Sequence, residues 1–95
     1  MSKSIWKYEV DINDEFFIKM PEGARVLHVG VQEGAMFICA LVDTDSQTLH
    51  VKRRFALRGT GHPCEDLDDV PHVGTCILHD GRLVFHLFDR GEEAF

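Results

Sequence analysis

The 95-residue sequence lacks the long apolar segment of a membrane protein and the leader of a secreted one. Its longest uninterrupted apolar run is the eight residues 35–42, far short of the roughly 20 needed to cross a bilayer. The N-terminus has no basic segment followed by an apolar stretch and a small-residue cleavage site. We therefore expect no membrane association and a cytoplasmic location.

Cysteine is scarce and odd in number. The three residues Cys39, Cys64 and Cys76 are too few for the dense, even set of a small secreted scaffold, so we expect free thiols in a reducing compartment. Cys39 lies within the apolar run FICALV and is expected in the core.

Positive charge is also in short supply. Ten Lys and Arg stand against sixteen Asp and Glu, for a net charge of −6. Because DNA binding without sequence preference needs excess positive charge to displace counterions, direct nucleic-acid binding is disfavoured.

Helical periodicity is missing, and period-2 alternation of apolar and polar residues takes its place. We predict a single, mainly β domain over residues 1–95, a small antiparallel barrel or sandwich of about seven strands joined as consecutive hairpins. A closed barrel is the favoured form because it leaves no exposed edge, and a homodimer stays open for a sandwich. At most one short helical turn is expected, near residues 64–70. The predicted strands cover residues 3–12, 16–20, 25–32, 36–42, 48–58, 73–79 and 82–89, with tight turns at Glu33-Gly34 and Asp80-Gly81.

Five sequence blocks resemble short proteins encoded by bacteriophages and prophages. They are IWKYEV (5–10), MPEGARVLHVGVQ (20–32), GTGHP (59–63), VGT (73–75) and LVFHLF (83–88), and together they span nearly the whole chain. The resemblance implies a phage gene product that acts inside a bacterial cell. It implies no activity, so no catalytic residue follows from it.

The segment Gly59–Pro71 breaks the alternation and begins with an unusual glycine-rich turn. Two glycines around a threonine would let backbone N–H groups converge on an anion, with charge added by flanking Arg and His side chains. The alternative is a structural bulge where the strand leaves the sheet. The candidate ligand-binding residues are Arg58, Gly59, Thr60, Gly61 and His62.

Two charged patches of opposite sign are candidates for partner binding. Lys52, Arg54 and Arg58 share the outward face of the predicted strand 48–58, while Arg53 is expected near a rim or paired with an acid. An acidic stretch follows, which is either a solvated loop or an imitation of a phosphate row that engages a basic groove. A third alternative is that the two patches neutralise each other within the fold. The candidate partner-binding residues are Lys52, Arg54, Glu65, Asp66, Asp68 and Asp69.

No pattern predicts a metal, a cofactor or an enzyme active site. A zinc set of His62, Cys64, His72 and Cys76 matches no usual ligand spacing. The nucleophile elbow, the HExxH helix, the Walker loop and the dinucleotide fingerprint are all missing.

Three functions stay open. The first is a non-enzymatic phage protein that binds and modulates a host bacterial protein, for example an anti-CRISPR-like inhibitor of host defence. The second is a protein that binds a nucleotide or another small anion at Arg58–His62. The third is a virion-associated or structural module.

Overall fold

The computed structural model describes residues 2–93, so Met1, Ala94 and Phe95 of the predicted domain lie outside the described range. Seven antiparallel strands form a three-stranded sheet of order β1-β4-β3 and a four-stranded sheet of order β2-β5-β7-β6. A single 3₁₀ turn covers Glu65–Leu67. The strands are β1 (Lys3–Val10), β2 (Glu15–Pro21), β3 (Arg25–Gln32), β4 (Ala35–Asp43), β5 (His50–Gly59), β6 (His72–Leu78) and β7 (Leu83–Glu92).

The sandwich form of the predicted fold is confirmed, and the favoured closed barrel is wrong because the two sheets share no strand. The corner between β2 and β3 shows how the sheets separate. Ala24 N donates to Pro21 O across a four-residue β-turn, with Gly23 at a φ of 78°. The chain therefore leaves one sheet and enters the other without pairing β2 to β3.

Strand β3 lies beside β6, the edge strand of the four-stranded sheet, and meets that sheet mainly there. Ala24, just before β3, accepts a hydrogen bond from Arg53 of β5, whereas Val29 lies against Gly74 of β6 at the far edge of that sheet. A methyl group built on Gly74 would lie 2.9 Å from Val29 Cγ1, so the glycine permits this close approach.

The core lies between the inner faces of the two sheets. Strand β4 occupies the centre of its sheet, as its apolar character on both faces predicted, and its residues alternate between buried and half-buried. Cys39 points to the outer, half-buried side, so its predicted core position is wrong, and Cys76 is the cysteine in the core. The largest fully buried side chains are Phe55, Met20, Met36, Ile38, Leu57 and Leu87.

The strand connections differ from the predicted series of consecutive hairpins. Only β3–β4 and β6–β7 are hairpins between neighbours in sequence, while β1 pairs with β4, β2 with β5, and β5 with β7. Glu33 and Gly34 form the predicted two-residue turn, with φ values of 52° and 78°. The Asp80-Gly81 turn is instead a four-residue loop, because Leu78 pairs directly with Leu83.

Some residues at strand ends leave the predicted inner face. Tyr8 and Val10 pack against the core as expected, whereas Ile12 lies beyond the end of β1 and Leu49 precedes β5, both exposed. The described part of the chain contains no helix with the length and apolar character needed to cross a bilayer.

Candidate functional site

The candidate site lies on the outer face of the four-stranded sheet, where β5 ends and residues 60–71, here called the insert, begin. Phe55 and Leu57 point into the core, so Arg58 points outward, on the same side as its cross-strand neighbour His86. Thr75 of β6 pairs with His86, and Phe88 of β7 pairs with Ala56. The strand registers therefore bring side chains of three strands to one face.

The insert folds back over this face and is fixed at both ends. Thr60 N donates to Val84 O, and Asp89 N donates to Pro71 O. Between these points Leu67 N donates to Cys64 O, which closes the 3₁₀ turn, and the Leu67 side chain is buried. The predicted short helical turn near residues 64–70 is thereby confirmed.

A cavity of about 240 Å³ lies between the start of the insert and the sheet. All five residues predicted for ligand binding line it, so the structure does bring Arg58–His62 together. The lining residues Cys64, His86 and Phe88 were not predicted for this site, and only the register of β7 against β5 places His86 and Phe88 here. The full lining is Arg58, Gly59, Thr60, Gly61, His62, Cys64, His86 and Phe88.

The backbone of this turn is not arranged as a cradle for an anion. Thr60 N donates to Val84 O and His62 N to Gly59 O, so neither amide points at a ligand. A methyl group on Gly59 would lie 2.9 Å from His62 Cε1. The two residues fit tightly together, and the turn is folded on itself. Ligand binding by the segment stays a prediction, but it would rely on side chains.

The Arg58 guanidinium is engaged by the protein through both of its terminal nitrogens. Its Nη2 donates to Glu15 Oε2 at 2.7 Å and to Asp66 Oδ2 at 3.2 Å, and its Nη1 donates to the carbonyl of Asp14 at 2.7 Å. Arg90 Nη2 donates to the same Asp66 oxygen at 2.7 Å, and its Nε donates to Glu15 Oε1 at 2.9 Å. Two arginines and two acids thus form a closed network.

The network shifts the titration of its members. The hydrogen bond from Arg90, reinforced by Arg58, lowers the pKa of Glu15, and the Arg90 hydrogen bond likewise lowers the pKa of Asp66. In turn, the hydrogen bond to Glu15 raises the pKa of both arginines. The four charges balance, so Arg58 has little net charge to offer an anion. Arg58 and Asp66 therefore neutralise each other, as one of the predicted alternatives for the two patches had it.

The other basic residues of β5 are also occupied. Arg53 forms a bidentate pair with Asp89 at 3.1 and 2.8 Å and donates to Ala24 O, which confirms its predicted pairing with an acid. Arg54 donates to Glu93 at 2.8 Å. The Lys52 ammonium lies 4.5 Å from the centre of the Phe17 ring. The predicted basic patch on β5, formed by Lys52, Arg54 and Arg58, is therefore largely engaged in contacts within the chain.

Three of the acids predicted to bind a partner are not part of this ion network. Glu65, Asp68 and Asp69 are exposed on the insert and form no ion pair within residues 2–93. Glu65 and Asp68 line a shallow concave surface of about 550 Å³ with His62, Pro63 and Cys64. Negative charge is thus concentrated on the insert, beside the cavity.

A chain of side-chain hydrogen bonds crosses the same face, and nothing in the sequence pattern signals it. His86 Nε2 lies 2.8 Å from Thr60 Oγ1 and His86 Nδ1 lies 2.9 Å from Thr75 Oγ1, which in turn lies 3.4 Å from His72 Nε2. His72 meets the Phe88 ring edge-on at 5.2 Å. Both nitrogens of His86 are engaged, which fixes its ring.

The cysteines and histidines do not form a metal set within residues 2–93, where no group of three or more His, Cys, Asp or Glu is placed for an ion. A register shift between His72 and Gly74 contributes to separating the candidate ligands, because His72 lies on the outer face and Cys76 in the core. Burial raises the pKa of the Cys76 thiol, which makes it a poorer nucleophile.

Fold and site together define a small antiparallel β-sandwich with a charged, insert-covered outer face. The chain belongs to the family described as a domain of unknown function, DUF7352, which matches residues 1–94. No curated protein and no solved structure matches the chain.

Proposed function

We propose that this chain is a non-enzymatic, phage-encoded protein that binds a host bacterial protein and modulates it, as an anti-CRISPR-like inhibitor of host defence would. The phage origin rests on the resemblance of the five sequence blocks. The binding role rests on one observation, the exposed acids Glu65, Asp68 and Asp69 on the insert, which form no ion pair within the described residues 2–93. The family assignment leaves both open.

The charge arrangement favours a basic partner surface. Arg53, Arg54, Arg58 and Arg90 all form ion pairs within the chain. With these arginines paired, Glu65, Asp68 and Asp69 give the insert a negative surface for an outside partner. Complementary charge steers association and sets specificity, so the partner's contact surface is basic, as on proteins that handle nucleic acids.

A non-enzymatic role agrees with the state of the polar groups on this face. Both ring nitrogens of His86 are engaged by threonine hydroxyls, and Arg58 is enclosed by carboxylates and carbonyls. General base catalysis needs a ring nitrogen within reach of a substrate proton, and His86 offers none without breaking a hydrogen bond.

The test is affinity capture from a bacterial lysate with matched charge reversals. Glu65→Lys/Asp68→Lys should abolish capture of the specific partner, because it reverses charge on the concave surface. Glu22→Lys/Glu33→Lys makes the same change in net charge at exposed turns and should leave capture intact. Asp66 is left unchanged because it holds Arg58 and Arg90.

Two results would contradict the proposal. One is the absence of any specific partner for the wild-type chain. The other is equal loss of capture in both double variants, which would reduce the effect to net charge.

A second candidate function is the binding of a small ligand, favoured by the convergence of Arg58–His62 with His86 and Phe88 on one cavity. Because the amides and Arg58 are engaged, we expect a planar, hydrogen-bonding group such as a nucleobase to enter rather than a bare phosphate. A ligand that binds only the native state raises the unfolding temperature by mass action.

Thermal unfolding with a set of nucleotides tests this second function. A stabilising nucleotide should lose its effect in His62→Ala, which removes a lining ring, and keep it in His50→Ala, an exposed position at the start of β5. No shift with any nucleotide would exclude nucleotide binding.

A further inference from the structure

Strand β1 is an edge strand that nothing in the described chain covers. It pairs with β4 alone, in an uninterrupted register from Lys3↔Asp43 to Val10↔Met36. Its other edge has no backbone partner within residues 2–93. An edge of this kind presents a row of N–H and C=O groups on which another strand can pair.

The other edge strands carry features that interrupt pairing. Strand β2 ends at Pro21, which lacks an N–H group. Strand β3 has a register shift between Val26 and His28, and β6 has one between His72 and Gly74. Bulges, prolines and charged side chains are the usual protection of sheet edges. Strand β1 has neither a bulge nor a proline along its eight residues, and its charged residues are Lys3, Lys7 and Glu9.

The centre of β1 is apolar and exposed on both faces. Ile5 is 61% exposed and Trp6 is 39% exposed. They point to opposite sides, because Trp6 pairs with the buried Ala40 and Ile5 with the half-buried Leu41. An apolar edge without covering residues is typical of a strand that pairs with another chain.

The residues of β1 are complementary to a second copy of the same strand. In an antiparallel pair centred on Trp6, Lys3 of each chain faces Glu9 of the other, which gives two ion pairs by symmetry. Ser4 then faces Tyr8, and Ile5 faces the stem of Lys7. Opposite charges directly across strands are stabilising. The same arrangement brings the two Trp6 side chains together on the two-fold axis.

We propose that this chain forms a two-fold homodimer by antiparallel pairing of β1 with β1 of a second copy, centred on Trp6. The two three-stranded sheets then form one continuous six-stranded sheet. The interface is isologous, since the same strand serves both chains. It leaves the insert and its acids outside the interface, so it stands or falls separately from the proposed partner binding.

The first measurement is the mass in solution by light scattering over a range of concentrations. We expect twice the 10.8 kDa of one chain at high concentration and dissociation on dilution. Trp6 is the single tryptophan, so its fluorescence reports the interface directly. Its emission should move to longer wavelength as the dimer dissociates and the ring becomes exposed to water.

A charge-swap cycle tests the register. Lys3→Glu places two glutamates opposite each other and Glu9→Lys places two lysines opposite each other, so each should weaken dimerisation about tenfold. The double variant Lys3→Glu/Glu9→Lys restores both ion pairs and should restore dimerisation. Ile77→Lys, at an exposed position on β6, is the matched control and should leave the dimer intact.

Three outcomes would overturn the proposal. The first is a monomer at every concentration up to about 1 mM. The second is a dimer that Ile77→Lys dissociates and the Lys3 and Glu9 variants do not, which would place the interface on β6. The third is loss with Glu9→Lys that Lys3→Glu does not rescue, which would indicate a pair centred on Tyr8 with Lys7 opposite Glu9. Circular dichroism and urea unfolding of every variant separate dissociation from loss of the fold.

Discussion

The outer faces of the two sheets are built on different principles. On the four-stranded sheet the insert covers the surface, and Arg58, Arg90, Glu15 and Asp66 form a closed ion network. On the three-stranded sheet no segment lies on top, and no ion pair within residues 2–93 involves its strands. On this sheet the Lys7 ammonium lies 5.5 Å from the centre of the Phe37 ring and donates a 2.8 Å hydrogen bond to Gln32.

The difference shows where the chain fixes its own surface and where it leaves a surface open. Charges that are paired internally hold the insert in one place and position the cavity. The three-stranded sheet instead keeps half-buried apolar groups at Phe37, Cys39 and Leu41, next to the exposed Ile5. The outer face of the four-stranded sheet therefore has a fixed shape with a cavity, whereas the three-stranded sheet ends in the unpaired edge of β1.

The largest expected effect comes from comparing a substitution in the core between the sheets with one on the outer face of the three-stranded sheet. Phe55→Ala should lower the free energy of unfolding by about 3–5 kcal/mol, because Phe55 is fully buried and stacks on Phe16 at 5.4 Å. Phe37→Ala should cost about 1–2 kcal/mol, because that ring is only half-buried. Urea unfolding of both variants checks this. Equal losses would mean that the outer face of the three-stranded sheet is covered in solution.

A smaller effect compares two glycines that each have a close neighbour. Gly74→Ala should destabilise by about 1–3 kcal/mol, because its methyl group would press on the buried Val29 between the sheets. The methyl group of Gly30→Ala meets the end of the Phe37 ring at 2.8 Å and His28 Nε2 at 2.9 Å, and both side chains can turn outward. We expect a cost below about 1 kcal/mol there. Thermal unfolding of the two variants measures both, and the reverse order would contradict the packing described.

The smallest effect is a pH dependence specific to the ion network. Because the folded pKa of Glu15 is lowered, its stabilising effect is present above the unfolded value of about 4.5 and is lost as the pH falls through the folded value. Glu15→Gln should flatten the fall in stability below about pH 5, with a change under about 1 kcal/mol since solvent screens the partly exposed pair.

Asp68→Asn is the control for this titration, since Asp68 forms no ion pair within the described residues. Its unfolding free energy should follow the wild-type curve between pH 3 and 7 within the ~0.5 kcal/mol typical of surface substitutions. A flattening equal to that of Glu15→Gln would assign the effect to net charge.

Most of the secondary structure could be predicted because alternation and turn residues act locally. Apolar residues on both sides of β4 correctly predicted a central strand, and Glu33-Gly34 its hairpin. Local patterns do not encode which strand pairs with which. The pairing of β1 with β4 and the separation into two sheets depend on the corner at Pro21–Ala24 and on the packing of Val29 against Gly74.

The candidate site could be predicted only in part, for the same reason. The glycine-rich turn and the acidic stretch are visible as departures from alternation. The roles of Glu15, Arg90, His86 and Phe88 depend on registers between strands far apart in sequence, which no local spacing indicates. The basic patch was correctly placed on β5. Acids from other segments pair with Arg54 and Arg58, however, and the local pattern could not show that these charges are not free for a partner.

The strand pairing also has a consequence for the order of events during synthesis. β1 and β2 are synthesised before their partners β4 and β5, with β3 in between. Pairing between distant segments is slow because the intervening loop must close first. The nascent chain therefore carries Val10, Phe16 and Met20, which pack in or against the core of the folded chain, without partners until β4 and β5 have been made. This is the interval in which a chaperone has most to protect.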